Sequence, residues 1–320
     1  MMAAPLLETR NLKKYFKVSG GRNLHAVDDV NIKINHGETL GVVGESGCGK
    51  STLGRTLVRL LEATDGEIFF EENNILEFNR RQMFKMRSEM QMIFQDPFTS
   101  LNPRLSIGDI IAEPLKVLKT VRGARARKER INELMDLCGL PARYYNTYPH
   151  ELDGGRRQRV GLARALAVNP KFIVCDEPVT ALDVSIQAQI INLLMDLQEQ
   201  MGLAYMFITH DLCVVRHISN YIAVMYLGQV VEYASKEALF EKQWHPYTVA
   251  LLSAIPTTDL SRRNRDRHLL KGEVGNPIDP EPGCRFASRC IHAKEECAAV
   301  QELREMAPGH FVRCCRAEEV

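Results

Sequence analysis

No apolar run in the 320 residues approaches the roughly 18 that a membrane span requires. The N-terminal stretch lacks the charged-then-apolar layout of a signal peptide. The chain is therefore expected in the cytosol, and work at a membrane would leave the spanning to other chains. An excess of one charge is missing too. With 41 basic and 40 acidic residues the formal net charge is +1, so bulk electrostatics gives no reason to expect nucleic acid as a partner. What is present is enough apolar content to bury one large core or two modest ones. Nine cysteines occur, and in a cytosolic chain they are not expected to pair as disulfides. Cys48, Cys138, Cys175 and Cys213 are scattered, whereas Cys284, Cys290, Cys297, Cys314 and Cys315 crowd the last 37 residues.

The most informative stretch is Gly44-Glu45-Ser46-Gly47-Cys48-Gly49-Lys50-Ser51-Thr52. It follows the apolar run Thr39-Leu40-Gly41-Val42-Val43, which suits a buried strand, and precedes helical spacing from Thr52 to Leu61. Strand, glycine loop and helix together form a P-loop. Glycines let the backbone wrap a phosphate chain, so the N–H groups from Glu45 to Thr52 can converge on it. The helix N-terminus adds partial positive charge at the same point. Lys50 is expected on the β- and γ-phosphates and the Ser51 hydroxyl on Mg²⁺. The chain is read as a binder of a nucleoside triphosphate.

Upstream, Leu7–Leu12 and Ala26–Ile34 read as strands around a Gly20-Gly21 turn, with Tyr15 and Phe16 at the end of the first. An aromatic there either stacks on an adenine or fills a core. Asp65–Phe70 is a further strand. Met90 to Phe94 is another, ending at Gln95 and stopped by Pro97. Gln95 can offer a carbonyl oxygen to Mg²⁺ or to a water near the γ-phosphate. Residues 106–167 read as mostly helical, and the basic run from Arg125 to Arg130 reads as a solvated helix face.

Asp153 is a good N-cap for a helix whose first residues, Gly154 and Gly155, leave backbone N–H groups open to an anion. Next, Lys171–Cys175 is an apolar strand ending in the paired carboxylates Asp176 and Glu177. This suits a Walker B element, with Asp176 holding Mg²⁺ through water and Glu177 polarising the attacking water. A helix from Ile186 to Met201 and a strand Ala204–Ile208 lead to His210 at a strand C-terminus. Parallel α/β sheets bind ligands at that end, so His210 is expected within reach of the γ-phosphate.

In order, the P-loop, Gln95, Leu152 to Gly155, the Walker B strand, Ala181-Leu182-Asp183 and His210 resemble the nucleotide-binding domain of ATP-binding cassette (ABC) proteins over about residues 5–240. The resemblance implies an α/β fold: an ABC-type P-loop ATPase core, an antiparallel β subdomain, a helical subdomain and a small cysteine-rich C-terminal extension. Its implied division is a nucleotide-binding domain at 1–244, with the helical subdomain at about 96–167, and an extension at 245–320. It further implies ATP sandwiched between two subunits, the P-loop of one facing the signature (Asp153, Gly154, Gly155) of the other. Phe16 falls where the family stacks adenine, and Gln95 where it senses the transmembrane subunit.

The segments Phe94–Pro103, Asp183–Gln189 and His245-Pro246-Tyr247-Thr248, with the tail from Asn276 to Cys314, are similar to ATPase subunits of oligopeptide/dipeptide importers. The F-type of their two ATPases is the nearer. The implied function is ATP hydrolysis driving peptide uptake, from the cytoplasmic face of the membrane as a peripheral subunit. The implied partners are a second, different ATPase, two transmembrane permeases and, indirectly, an extracytoplasmic peptide receptor, without nucleic acid. Alternatives are a regulatory ATP-binding subunit with a degenerate composite site, or an importer of another solute such as nickel.

One departure from the family stands out: Asp153 and Arg156 replace the usual Ser and Gln. An ionised carboxylate cannot donate to a phosphate, and two unit charges about 4 Å apart repel by roughly 4 kcal/mol at an effective dielectric near 20. Either Asp153 turns away to cap its helix, with Arg156 and Arg157 balancing its charge, or the site it faces is weakened. The tail holds Cys284, Cys290, Cys297 and Cys314 at intervening gaps of five, six and sixteen residues. Four thiolates suit zinc or an iron–sulfur cluster, and wide gaps favour the bulkier cluster. Buried or free cysteines are the plainer alternative. Resemblance to the importers implies a structural 4Fe–4S cluster there, with zinc second and Cys315 able to replace Cys314.

Overall fold

The computed structural model describes residues 4–180, 182–254, 272 and 275–320. Its spine is a mixed sheet. Five strands run parallel in the order Tyr221–Tyr226, Thr39–Val43, Ala204–Ile208, Phe172–Asp176 and Met90–Ile93. Thr39–Val43, Phe172–Asp176 and Ala204–Ile208 are buried along their whole length, which explains why their sequences are continuous apolar runs rather than alternations. Their C-terminal ends carry Gly44, Glu177 and His210 to one edge of the sheet, where open α/β sheets bind ligands.

The strands Leu7–Lys17, Asn23–Val30, Lys33–Ile34, Asp65–Phe70 and Asn73–Asn74 form a second, antiparallel sheet. The first strand runs past Phe16 to Lys17 because it pairs with Asn23–Val30 over its far half, and the second strand breaks at Asn31 and Ile32 before Lys33–Ile34. The two sheets share a core that includes Leu7, Val27, Val42, Leu53, Ile68 and Met206. The P-loop helix spans Lys50–Leu57, four residues short of the expected end. Gly54 lets it lie close to the sheet, since a Cβ there would meet Val174 Cγ1 at 2.7 Å.

On the other face stands the helical part, built mainly from Ile107–Leu118, Ala124–Leu137 and Gly154–Leu166. Ile107, Ile110, Ile111 and Leu115 form an apolar stripe that packs with Ile131, Leu134 and Val160. Arg125 on the solvated face pairs with Glu129.

The tail has more regular structure than its Pro- and Gly-rich sequence suggests. Arg304–Ala307 and His310–Val312 form a hairpin that joins the main sheet through Gln229–Ser235. Fully buried Glu232 anchors the junction: it accepts the Trp244 and His245 N–H groups at 2.8 and 3.0 Å and lies 2.7 Å from His310 Nε2. Among the described residues no helix is long and apolar enough to cross a membrane.

Candidate functional site

An open cleft lies between the two sheets. Its walls include Phe16, Ser46, Gly47, Gly49, Lys50, Ser51, Thr52, Gln95, Glu177 and His210. Residues up to 194 positions apart in sequence thus meet at one place. Leu24 and Ala26 complete the wall beside Phe16 and were not legible as site residues. Gly44, Glu45 and Cys48 are absent from the cleft walls, and Cys48 is buried behind the loop.

The loop is shaped by its glycines. Gly49 has φ of 105° and a Cβ there would sit 1.9 Å from the Ala26 carbonyl oxygen, so no other residue fits. The Lys50 ammonium is buried, donating to the Gly44 and Glu45 carbonyls at 2.7 and 2.9 Å. Tyr15 and Phe16, adjacent on one strand, face opposite ways. Tyr15 stacks on His25 with ring centroids 3.9 Å apart and donates to Asp28 at 2.5 Å, while Phe16 is left at the cleft with Lys14 Nζ 4.9 Å from its ring centroid.

Ser51 Oγ donates to Asp176 Oδ1 at 2.6 Å. The other oxygen, Oδ2, is buried without a hydrogen-bond partner, the nearest cation being Arg55 at 3.6 Å. Burial pushes the Asp176 carboxyl above its usual range, against the pull of Ser51 and Arg55. A buried carboxylate with an orphaned oxygen beside a hydroxyl is the donor set of a hard, oxygen-seeking cation. These residues fit Mg²⁺.

Glu177 is the convergence point. Its Oε2 accepts from Gln95 Nε2 at 2.9 Å and from Thr180 Oγ1 at 3.2 Å, and His210 Nδ1 lies 3.7 Å away. With Nε2 so engaged, the Gln95 amide oxygen remains for another partner. Glu177 holds φ of 46°, a left-handed conformation rare outside glycine, with its N–H on the Ile208 carbonyl at 3.0 Å. Backbone held in that region marks a position over-determined by its surroundings. Thr180 escaped the sequence reading although it lies three residues beyond Glu177, the spacing of a local hydroxyl contact.

The signature residues lie outside this cleft. Asp153 caps the helix Gly154–Leu166, accepting the Arg156 N–H at 2.8 Å, and its other oxygen pairs with Arg156 Nη1 at 2.5 Å. Gly155 packs on Ile186, where a Cβ would lie 2.6 Å from Cγ2. Leu182 and Asp183 precede the helix Val184–Met201, whereas Ala181 lies outside the described residues.

The expectation of a metal cluster in the tail is corrected. Cys284, Cys290, Cys297, Cys314 and Cys315 do line one small cavity with His245. Yet among the described residues no group of three or more His, Cys, Asp or Glu side chains is placed to hold a metal ion. Cys284 and Cys290 pack against an aromatic cluster containing Tyr226, Tyr247 and Phe286, while Cys314 packs with Val312 and Ala317. Burial pushes the Cys284 thiol up to about 12 and raises Cys290, Cys314 and Cys315, as for cysteines packed among apolar neighbours. Neither the iron–sulfur nor the zinc reading is supported among the described residues.

Comparison with known proteins agrees with the cleft. A family model described as ABC transporter matches residues 27–180, and one described as Oligopeptide/dipeptide transporter, C-terminal region, matches residues 231–297. The chain is 48% identical to the oligopeptide transport ATP-binding protein AppF of Bacillus subtilis, across 97% of this chain and 96% of that protein. It is 47% identical to the oligopeptide transport ATP-binding protein OppF of Haemophilus influenzae, across 97% of each. Among solved structures, the dimeric post-hydrolysis state of the ATP-binding cassette MJ0796 bound to ADP and Pi superposes with a TM-score of 0.66 at 30% identity. That match covers 72% of this chain and 98% of the other.

Proposed function

We propose, for a chain that belongs to the oligopeptide-transport ATP-binding proteins of the ABC family, that it hydrolyses ATP to drive peptide uptake through membrane permease subunits. The observation that carries the chemistry is the convergence of Gln95, Thr180 and His210 on one oxygen of Glu177 at the mouth of the P-loop cleft. Glu177 would accept a proton from the water that attacks the γ-phosphate. Gln95 and Thr180 hold that carboxylate in place, and His210 stands ready beside it. Lys50 would exchange the loop carbonyls for phosphate oxygens. Backbone N–H groups from Ser46 to Thr52 would line the phosphate chain, and Phe16 would stack the base. Ser51 and Asp176, with the Gln95 amide oxygen, would hold Mg²⁺, which supplies charge neutralisation on the phosphates.

The finer arrangement belongs to the same reading. Residues 1–244 would act as the nucleotide-binding unit, with the helical part at about 96–167 facing a permease at the cytoplasmic side of the membrane. Residues 245–320 would form the extension. A second, different ATPase would complete the composite sites, its signature covering this P-loop and Asp153, Gly154 and Gly155 covering its own. Because Asp153 is spent on its cap and on Arg156, the site it covers lacks the usual hydroxyl donor and would be the slower of the two.

The test is ATP turnover in the complete importer, comparing wild type with Glu177→Gln. Turnover is expected to fall by about 10²–10⁴-fold while ATP binding is kept. Undiminished turnover would place the hydrolysis on the partner's site and leave this chain as an ATP-binding clamp. In the same assay Asp153→Ser should raise the rate, and an unchanged rate would remove the inequality of the two sites.

A further inference from the structure

The C-terminal extension reaches back to the phosphate loop and takes hold of a single residue. Glu45 is gripped at three groups. Its carbonyl accepts Lys50 Nζ at 2.9 Å, its N–H donates to Tyr247 Oη at 2.9 Å, and its carboxylate receives Arg289 Nη1 and Nη2 at 2.8 and 3.1 Å. Two of those three contacts come from beyond residue 244. A two-pronged guanidinium–carboxylate pair fixes direction as well as distance, which a lysine does not.

Arg289 is itself immobilised. Its side chain is 7% exposed, Nη1 lies 3.5 Å from Tyr226 Oη, and the guanidinium is 6.0 Å from the centre of the Tyr226 ring. Tyr226, Tyr247 and Phe286 pack on one another with centroids 4.8 to 5.4 Å apart. The aromatic cluster therefore braces both groups that hold Glu45. Other arginines of the extension grip elsewhere: Arg285 pairs with Asp28, and Arg313 donates to Asp29 at 2.8 Å. Both partners lie on the strand Asn23–Val30, outside the loop.

The loop also has an electrostatic need for such a partner. Glu45 puts a carboxylate one residue into a loop that is read as the seat of a polyanion, and an uncompensated charge there opposes binding. We propose that Arg289 is a positioning residue for ATP, holding Glu45 so that the phosphate loop keeps its binding shape and its acidic side chain stays neutralised. The extension thereby sets the nucleotide affinity of a site to which its described residues contribute no wall. This rests on the reading of the cleft as the ATP site.

The experiment compares ATP affinity of the full chain, measured with a fluorescent ATP analogue, and KM and kcat in the complete importer. Arg289→Ala is expected to raise Kd and KM on the order of tenfold with kcat within about twofold, the signature of lost ground-state binding. Arg289→Lys keeps the charge and loses the fork, so it should fold and restore part of the affinity. Arg313→Ala, which removes an equally buried arginine of the same extension, should lower the melting temperature and leave Kd unchanged. The inference is overturned if Arg289→Lys and Arg289→Ala both bind as wild type, or if Arg313→Ala weakens binding to the same extent. If the wild-type chain binds no ATP, it is the reading of the cleft that fails.

Discussion

Between Gly44 and Thr52 the chain is shaped mainly by its own glycines and flanking elements, with Glu45 clamped from the extension, whereas from Cys284 onward it is held in part by partners near the other end of the sequence. The loop's form follows from local causes: glycines at 44, 47 and 49 with positive φ, a buried strand before it and a helix after it. The extension joins the main sheet by a short hairpin anchored at Glu232, and it reaches the N-terminal part of the chain through Arg285 on Asp28, Arg289 on Glu45 and Arg313 on Asp29. Those pairs span 257, 244 and 284 residues. Locally determined structure announces itself as a motif. Structure held by distant ion pairs leaves no pattern, because any arginine in the tail could have been solvated instead.

The comparison can be broken most forcefully on the loop side. Gly49→Ala forces a Cβ to 1.9 Å from the Ala26 carbonyl at φ of 105°. A cost of roughly 3 kcal/mol or more is expected from strain and overlap together, with loss of ATP binding. Thermal unfolding and nucleotide titration would check it, and a variant with native stability and affinity would show that the loop is not shaped by this glycine.

A smaller, pH-dependent effect is expected at the root of the extension. His245 caps the helix Pro246–Ser253 through Nδ1, which accepts the Tyr247 N–H at 3.1 Å, and burial lowers its pKa to about 4. Its folded pKa lies below the ordinary value of 6.5, so the unfolded chain binds the extra proton first. Its contribution to stability is present above about pH 6.5 and is lost as pH falls towards 4, at about 1.4 kcal/mol per pH unit at most. His245→Asn keeps an acceptor for the cap and removes the titration. Its melting temperature should fall less than that of wild type between pH 6.5 and 5, and parallel curves would refute the assignment.

The smallest change sharpens what kind of ion pair matters in the extension. Lys294 lies 3.8 Å from Glu319, and both side chains are more than half exposed. Lys294→Ala should shift stability by less than about 0.5 kcal/mol. A larger loss in chemical denaturation would mean that surface pairs, and not only the buried arginines, secure the extension.

Much of the cleft was legible because each motif ends a strand or begins a helix in a parallel sheet, and the topology brings those ends together. One of the two readings of Asp153 had it cap its helix with Arg156 and Arg157 balancing its charge, and the structure shows the cap and the Arg156 pair. Thr180, Tyr247 and Arg289 were not legible as site-related. Each acts through another residue, and single hydroxyls and guanidinium groups carry no spacing rule. The tail cysteines misled for a related reason: spacing says which thiols are near in sequence, but not whether they sit as buried thiols on aromatic and aliphatic neighbours.

Residue type and spacing alone carried the phosphate loop, the motifs that bear Lys50, Gln95, Glu177 and His210, and membership of the peptide-transport ABC family. These rest on short-range geometry, where residue type and spacing suffice. That the extension joins the main sheet, that Cys284, Cys290 and Cys314 pack with apolar neighbours, and that Arg289 meets Glu45 came from long-range contacts alone. Those outcomes depend on which distant surfaces come into contact, and burial turns an otherwise ordinary charge into a fixed partner.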